Sequence, residues 1–181
     1  MQSVALIGGY FIGQDIRLST RLIANEVLGI LEVLNPDYCL CTGDSHAGIL
    51  LTKLARMAGI PYIIMEPPTR FMVGEGKPPI SNNHKKLLKS LKKDAYEVRT
   101  KVLPSKNRRE YYLARNKWMI DSTDSSIILV HPSYKSPDRI EGVGSRTVVH
   151  AIVNGFKKPH FIGIMSKDKS KAIAVRRWEG T

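Results

Sequence analysis

A chain of 181 residues with 43% hydrophobic side chains supplies one core of ordinary size and is too apolar for a disordered protein. Its longest apolar runs, Ile127–Val130 and Ile60–Met65, fall far short of the roughly 20 residues that cross a bilayer, so no membrane span is expected. The formal charge of +12 and a pI of about 9.8 point to partners that carry phosphate, as a polynucleotide, a mononucleotide or an anionic surface.

The opening "MQSVALIGGY" has no basic segment followed by a long apolar region, so it is read as lacking an export signal. "SVALIGG" is a buried strand that stops on glycines, and Ile16–Leu34 places apolar residues at helical spacing. "DYCLC" is a second strand. Its Cys39 and Cys41 point to one face, too poorly placed to bridge, and read as packed thiols of a cytoplasmic protein. "GILLTKLARMAG" is a second helix ended by Gly59, and "IPYIIM" a third strand. The segment from about 72 to 105 is basic, with leucines at 87, 88 and 91 beneath its lysines, and reads as an amphipathic insertion over or beside a site. Asn107–Ser122 is a helix, "SSIILV" a buried strand, Ser145–Asn154 a helix, "PHFIGIM" a strand and "KAIAVRRWE" an edge strand. The alternation defines a single α/β domain over 1–181: a Rossmann-like, doubly wound, mainly parallel sheet with helices on both faces.

Ligands of such sheets sit beyond the carboxyl ends of the strands. Those ends hold Gly8, Gly9 and Tyr10; Thr42, Gly43, Asp44, Ser45 and His46; Glu66; and the turn Gly142–Arg146. The rim is glycine-rich and polar, suited to a phosphorylated ligand. The turn "EGVGSRT" fits neither a Walker A loop nor a dinucleotide fingerprint, where Thr147 occupies the third glycine position. A general cradle remains: Gly142 and Gly144 permit close approach, Ser145 caps the helix, the amides of Ser145, Arg146 and Thr147 face outward, and Arg146 grips phosphate. Arg115 and Asn116 lie mid-helix, and burial would require a partner such as Asp121, Asp124 or a ligand; an exposed pair is the alternative. Asp44 caps a helix or receives ribose hydroxyls, and Tyr10 stacks on a base or packs. His46, His131 and His150 have no metal-site spacing, so no metal or required cofactor is expected.

"TGD…G" after the second strand, "RNxxM" on a helix, an apolar strand and a glycine-rich turn into a helix together resemble the SLOG superfamily. This Rossmann-like group includes the DprA/Smf, LOG and YpsA/YspA proteins. The resemblance runs from Val4 to about Ile164. It is nearest the YpsA/YspA-like branch through "TGDSHAGILLTKLARMAGIPY" and "ARNKWMIDSTDSSIILV". It implies nucleotide-type ligands at the glycine turns, base-releasing hydrolysis in some members, nucleic-acid binding in others, and pairing of subunits through helices. Two departures stand out. Aligned on Gly144, Ser145 replaces the threonine of LOG-like turns, and Val148 stands where they carry a catalytic glutamate, which removes hydrolysis by that residue. Ile49 occupies the position of an aspartate common in YspA-like proteins.

Three functions follow as expectations. The first is a sensor or sequestering protein for a nucleotide-derived signal such as an ADP-ribose-like molecule. Its phosphate lies on Gly142–Thr147 and its sugar and base among Gly8–Tyr10 and Thr42–His46, with Arg115 and Asn116 in support. The second is a nucleoside monophosphate N-glycoside hydrolase using Asp44, Glu66 or Glu141. The third is a DprA-like protein binding single-stranded nucleic acid through the basic middle and the tail, with Tyr96, Tyr111, Tyr112 and Trp178 as stacking candidates.

Overall fold

The computed structural model describes residues 1–8, 16–72, 82–130, 142–154, 158–164 and 175–178. Gly9, Tyr10, His131 and Glu141 lie outside the described residues. In chain order the elements are β1 (Ser3–Gly8), α1 (Ile16–Leu34), β2 (Tyr38–Cys41), α2 (His46–Met57), β3 (Tyr62–Glu66), the single turn α3 (Thr69–Met72), α4 (Asn82–Asp94), β4 (Glu97–Thr100), α5 (Arg108–Asp121), β5 (Ser125–Val130), α6 (Gly142–Asn154), β6 (His160–Ile164) and β7 (Val175–Trp178).

The strands form one sheet in the order β4-β3-β2-β1-β5-β6-β7. The first six run parallel, and β7 pairs antiparallel with β6 at the far edge. Strands β1 and β5 are covered on both faces, which is why they read as unbroken apolar runs rather than alternating ones. One face carries Val4, Leu6, Cys39, Cys41, Ile64 and Leu129, packed under α1, α2 and α4. The other carries Ala5, Ile7, Leu40, Met65 and Val130, packed under α5 and α6. The chain therefore winds outward from β1 to β4 on one face. It returns across the other through α5 and continues from β5, so the order reverses between β1 and β5. Burial pushes the Cys39 thiol up to about 12 and raises Cys41 as well. Both are free, buried and unreactive packing groups.

The basic segment differs from its sequence reading. Residues 82–100 are a regular helix-to-strand unit of the sheet, not an insertion. Leu91 is wholly buried against β3, Tyr62 donates to its carbonyl at 2.8 Å, and β4 extends the sheet beside β3. The helix ends follow their capping chemistry. At α2 the Ile60 N–H reaches Ala55 O and Gly59 N–H reaches Arg56 O, with Gly59 at φ +70°, the left-handed position that glycine adopts without strain. At α5 the Asn107 side chain accepts from Glu110 N–H at 2.9 Å, while the Glu110 carboxylate accepts from Lys106 N–H at 2.8 Å.

Candidate functional site

The turn Thr42–Ser45 locks β1, β2 and α2 together at the carboxyl end of the sheet. Thr42 is fully buried; its hydroxyl oxygen accepts from Gly8 N–H at 3.1 Å, and its own N–H donates to Leu6 O. Ser45 caps α2: its Oγ accepts from Gly48 N–H at 3.0 Å and donates to Gly8 O at 2.8 Å. Both backbone groups of Gly8 are thus used within the protein. A side chain at Gly8 would collide with the backbone of Ala47 and Gly48, and one at Gly48 with Thr42 O, so the first turn of α2 lies directly on β1. A Cβ on Gly43 would sit 2.8 Å from Ile64 Cγ2. Gly8 and Gly48 serve close packing of backbone on backbone, and Gly43 makes room for the Ile64 and Leu88 side chains. Capping falls to Ser45 rather than Asp44.

Asp44 instead meets Arg115. The guanidinium, 3% exposed, donates from one terminal nitrogen to Asp44 Oδ1 at 3.0 Å and to Met65 O at 3.3 Å, and from the other to Asn116 Oδ1 at 3.3 Å. Asn116 Nδ2 passes the chain on to Thr147 Oγ1 at 3.1 Å, and that hydroxyl donates to Val143 O at 2.7 Å. One polar relay therefore ties β2, β3, α5 and α6 together across the strand ends. Asp121 and Asp124 take no part in it: Asp121 faces His150 at 2.8 Å, and Asp124 accepts from the Ser3 hydroxyl and amide at 2.8 Å each. A small apolar cluster of Phe71, Tyr111 and Tyr112, with Leu103 and Val143 against it, stands over the relay. The Tyr112 ring lies 5.0 Å from the Arg115 guanidinium carbon.

The remaining predicted residues divide. Glu66 ends β3 and forms an ion pair with Lys92 of α4. The expected helix start at Ser145 moves to Gly142, so the amides of Ser145, Arg146 and Thr147 belong to the interior of the helix and not to an outward-facing cradle. Arg146 is exposed, whereas Thr147 is fully buried in the relay. Val148 is 1% exposed and packs against the sheet. His46, placed on the rim by the sequence, has a neighbour that the sequence did not reveal: its ring stands edge-on to His84 at 4.7 Å, and burial, with the nearby His84, lowers its pKa. Among the described residues, Asp44 Oδ2, Arg115 Nε and His46 Nδ1 are buried with no hydrogen-bond partner, and no cluster of three or more potential metal ligands occurs. Buried polar atoms cost free energy when unpaired, so this trio marks the carboxyl rim as the place where a polar ligand has hydrogen bonds to gain.

A second feature lies beside the rim. Residues 82–118 hold twelve Lys and Arg against three Asp and Glu, so nine of the twelve net positive charges fall in 37 residues of α4, β4 and α5. On α4 the exposed Lys85, Lys86, Lys89 and Lys93 fall within one stripe about 100° wide, opposite Leu87, Leu88 and Leu91. Tyr96, at the end of this helix, is 81% exposed.

No family model and no curated protein matches the sequence. The fold is similar to that of DNA processing protein A (DprA) from Helicobacter pylori, with a TM-score of 0.54 and 18% identity over 89% of this chain and 64% of that one. It is also similar to DprA from Streptococcus pneumoniae, with a TM-score of 0.54 and 13% identity over 89% of this chain and 50% of that one. At such identities the likeness is one of fold, a Rossmann-like architecture shared with these two proteins. The chain spans 64% and 50% of the lengths of these two proteins. The Helicobacter pylori protein was described for its mode of binding single-stranded DNA.

Proposed function

We propose that this chain binds single-stranded nucleic acid, with phosphates along the lysine stripe of α4 and a base against Tyr96. The observation that carries this reading is the stripe of four exposed lysines on α4, Lys85, Lys86, Lys89 and Lys93, on a helix followed closely by an exposed aromatic ring. Lysines neutralise phosphates without regard to sequence, and an exposed ring offers a stacking surface to any base. The shared fold with a protein known for binding single-stranded DNA supports the same reading. The test is fluorescence anisotropy of a labelled oligo-dT. Affinity is expected to fall steeply with salt, and replacing Lys85, Lys86, Lys89 and Lys93 by Gln should weaken binding tenfold or more and reduce the salt slope by about 2–3. Binding unchanged in that variant, or absent at low salt, overturns the reading.

A second reading, a nucleotide-derived small molecule at the rim, is favoured by the three unpartnered buried atoms of Asp44, His46 and Arg115. The likeness of "TGDSHAG" to the YpsA/YspA-like branch agrees with it. Mass spectrometry of small molecules released on denaturing the purified protein tests it, and an intact nucleotide derivative is the expected finding. Incubation with nucleoside monophosphates tests the hydrolase alternative, and a freed base would direct attention to Asp44, Glu66 and Glu141.

A further inference from the structure

Among the described residues β4 is the last strand on its side of the sheet, bonded to β3 alone. Edge strands in natural proteins are commonly defended by lysine, proline or a bulge. The edge Glu97-Val98-Arg99-Thr100 carries no proline, and its acid and base cancel: Arg99 holds the Glu97 carboxylate through two hydrogen bonds of 2.8 and 2.5 Å. Val98 and, just beyond the strand, Val102 are 39% and 83% exposed.

The direction of the open backbone groups follows from the ladder. Glu66 pairs with Thr100, and the next residue, Pro67, has no N–H to give. The pairing must then run through the N–H and C=O of Glu66, which engage Arg99 and Lys101. In a parallel ladder, alternate residues of one strand face the neighbour. Val98 and Thr100 therefore turn their N–H and C=O to the open side.

We propose that this edge pairs with the same edge of a second copy of the chain, antiparallel about a two-fold axis through Val98. The two seven-stranded sheets become continuous. In this register the two Val98 residues exchange both backbone hydrogen bonds. Glu97 stands opposite the second copy's Arg99 on one side, and Arg99 opposite the second copy's Glu97 on the other. These flanking pairs are the non-hydrogen-bonded kind, whose side chains lie closer. An axis through Glu97 would oppose two glutamates, and one through Arg99 two arginines, so charge selects Val98 as the centre. Keeping each helical layer on its own side of the joined sheet requires an axis through a residue rather than between two, and the fourth choice, Thr100, would set Arg99 against the second copy's Lys101. The short strand makes the association weak, in the range of about 10–100 μM. Each copy carries +12, so added salt relieves their mutual repulsion and strengthens the dimer, the opposite of its effect on nucleic-acid binding.

Sedimentation velocity of the full chain at up to about 200 μM, in low and in roughly 0.5 M salt, tests the proposal. Dimers that strengthen with salt are expected. Glu97→Arg and Arg99→Glu, each alone, should weaken association about tenfold or more, because like charges then face each other across the axis. An equimolar mixture of the two variants should dimerise again, since the mixed pair sets two arginines against two glutamates. A wild-type chain that stays monomeric throughout, single variants that associate as wild type does, or a mixture no stronger than its components each overturns the proposal. Should either charge variant fail to fold, Val98→Pro takes its place. It removes an outward N–H that β3 does not use, and should give a folded monomer by circular dichroism and sedimentation. A folded Val98→Pro that still dimerises also overturns the pairing.

Discussion

The rim of the sheet and its α4 flank both carry positive charge, yet they use it in opposite ways. At the rim Arg115 is buried and committed to Asp44, Met65 and Asn116, and the backbone groups of Gly8 are taken by Thr42 and Ser45. On the flank Lys85, Lys86, Lys89 and Lys93 stand in water on a helix that is anchored from the other side by leucines. A net charge of +12 thus says little until each cation is placed. The buried guanidinium holds elements together, while the exposed ammonium groups are available to a polyanion.

The contrast can be broken most severely at the rim. Replacing Asp44 by Asn leaves the Arg115 guanidinium buried without its counter-charge and should cost about 3–5 kcal/mol in urea unfolding. Gly8→Ala forces a methyl group into the backbone of α2 and should cost about 1–3 kcal/mol or more, read by the same measurement. Asn107→Ala removes the cap of α5, the helix that carries Arg115, and should cost about 1 kcal/mol. Replacing the four α4 lysines by Gln should move stability by less than about 0.5 kcal/mol while it weakens oligonucleotide binding, which sharpens the division between the two regions. The last prediction concerns pH. Burial lowers the folded-state pKa of His46 below its ordinary 6.5, so the unfolded chain takes up the proton first. Stability should be intact above about pH 6.5 and decline as pH falls toward the depressed value. His46→Gln should flatten that decline in thermal melts between about pH 7 and 5.

The alternation of apolar strands and amphipathic helices was legible because its signals are local. The ends of α5 at Asn107 and Ser122 follow from capping residues beside an evident helix. Strand β4 escaped notice because "EVRT" is polar and short, as an exposed edge strand can be, and because the lysines before it dominate the composition. The start of α6 was misplaced for a related reason. Gly142 and Gly144 are poor helix formers and read as a turn, but the fold draws both into the first turn of the helix. Burial of Arg115 and Asn116 was one of two open readings of the sequence. The partner was hidden, since Asp44 lies 71 residues away and no local pattern announces so distant a pair. Asp121 and Asp124 were nearer in sequence and fill other roles.

The position of β1 bears on how the molecule comes to exist. It lies between β2 and β5, yet β5 begins at Ser125, more than a hundred residues later. At about 5–20 residues per second, a growing chain has β1 ready on the order of ten seconds before its second neighbour is synthesised. During that interval the half-sheet β4-β3-β2-β1 has α1, α2 and α4 to cover one face. The other, with Ala5, Ile7, Leu40 and Met65, waits for α5 and α6. Newly made chains should therefore be at their stickiest just before α5 leaves the ribosome, and factors that shelter nascent apolar surface should raise the yield of this protein more than its modest size would suggest.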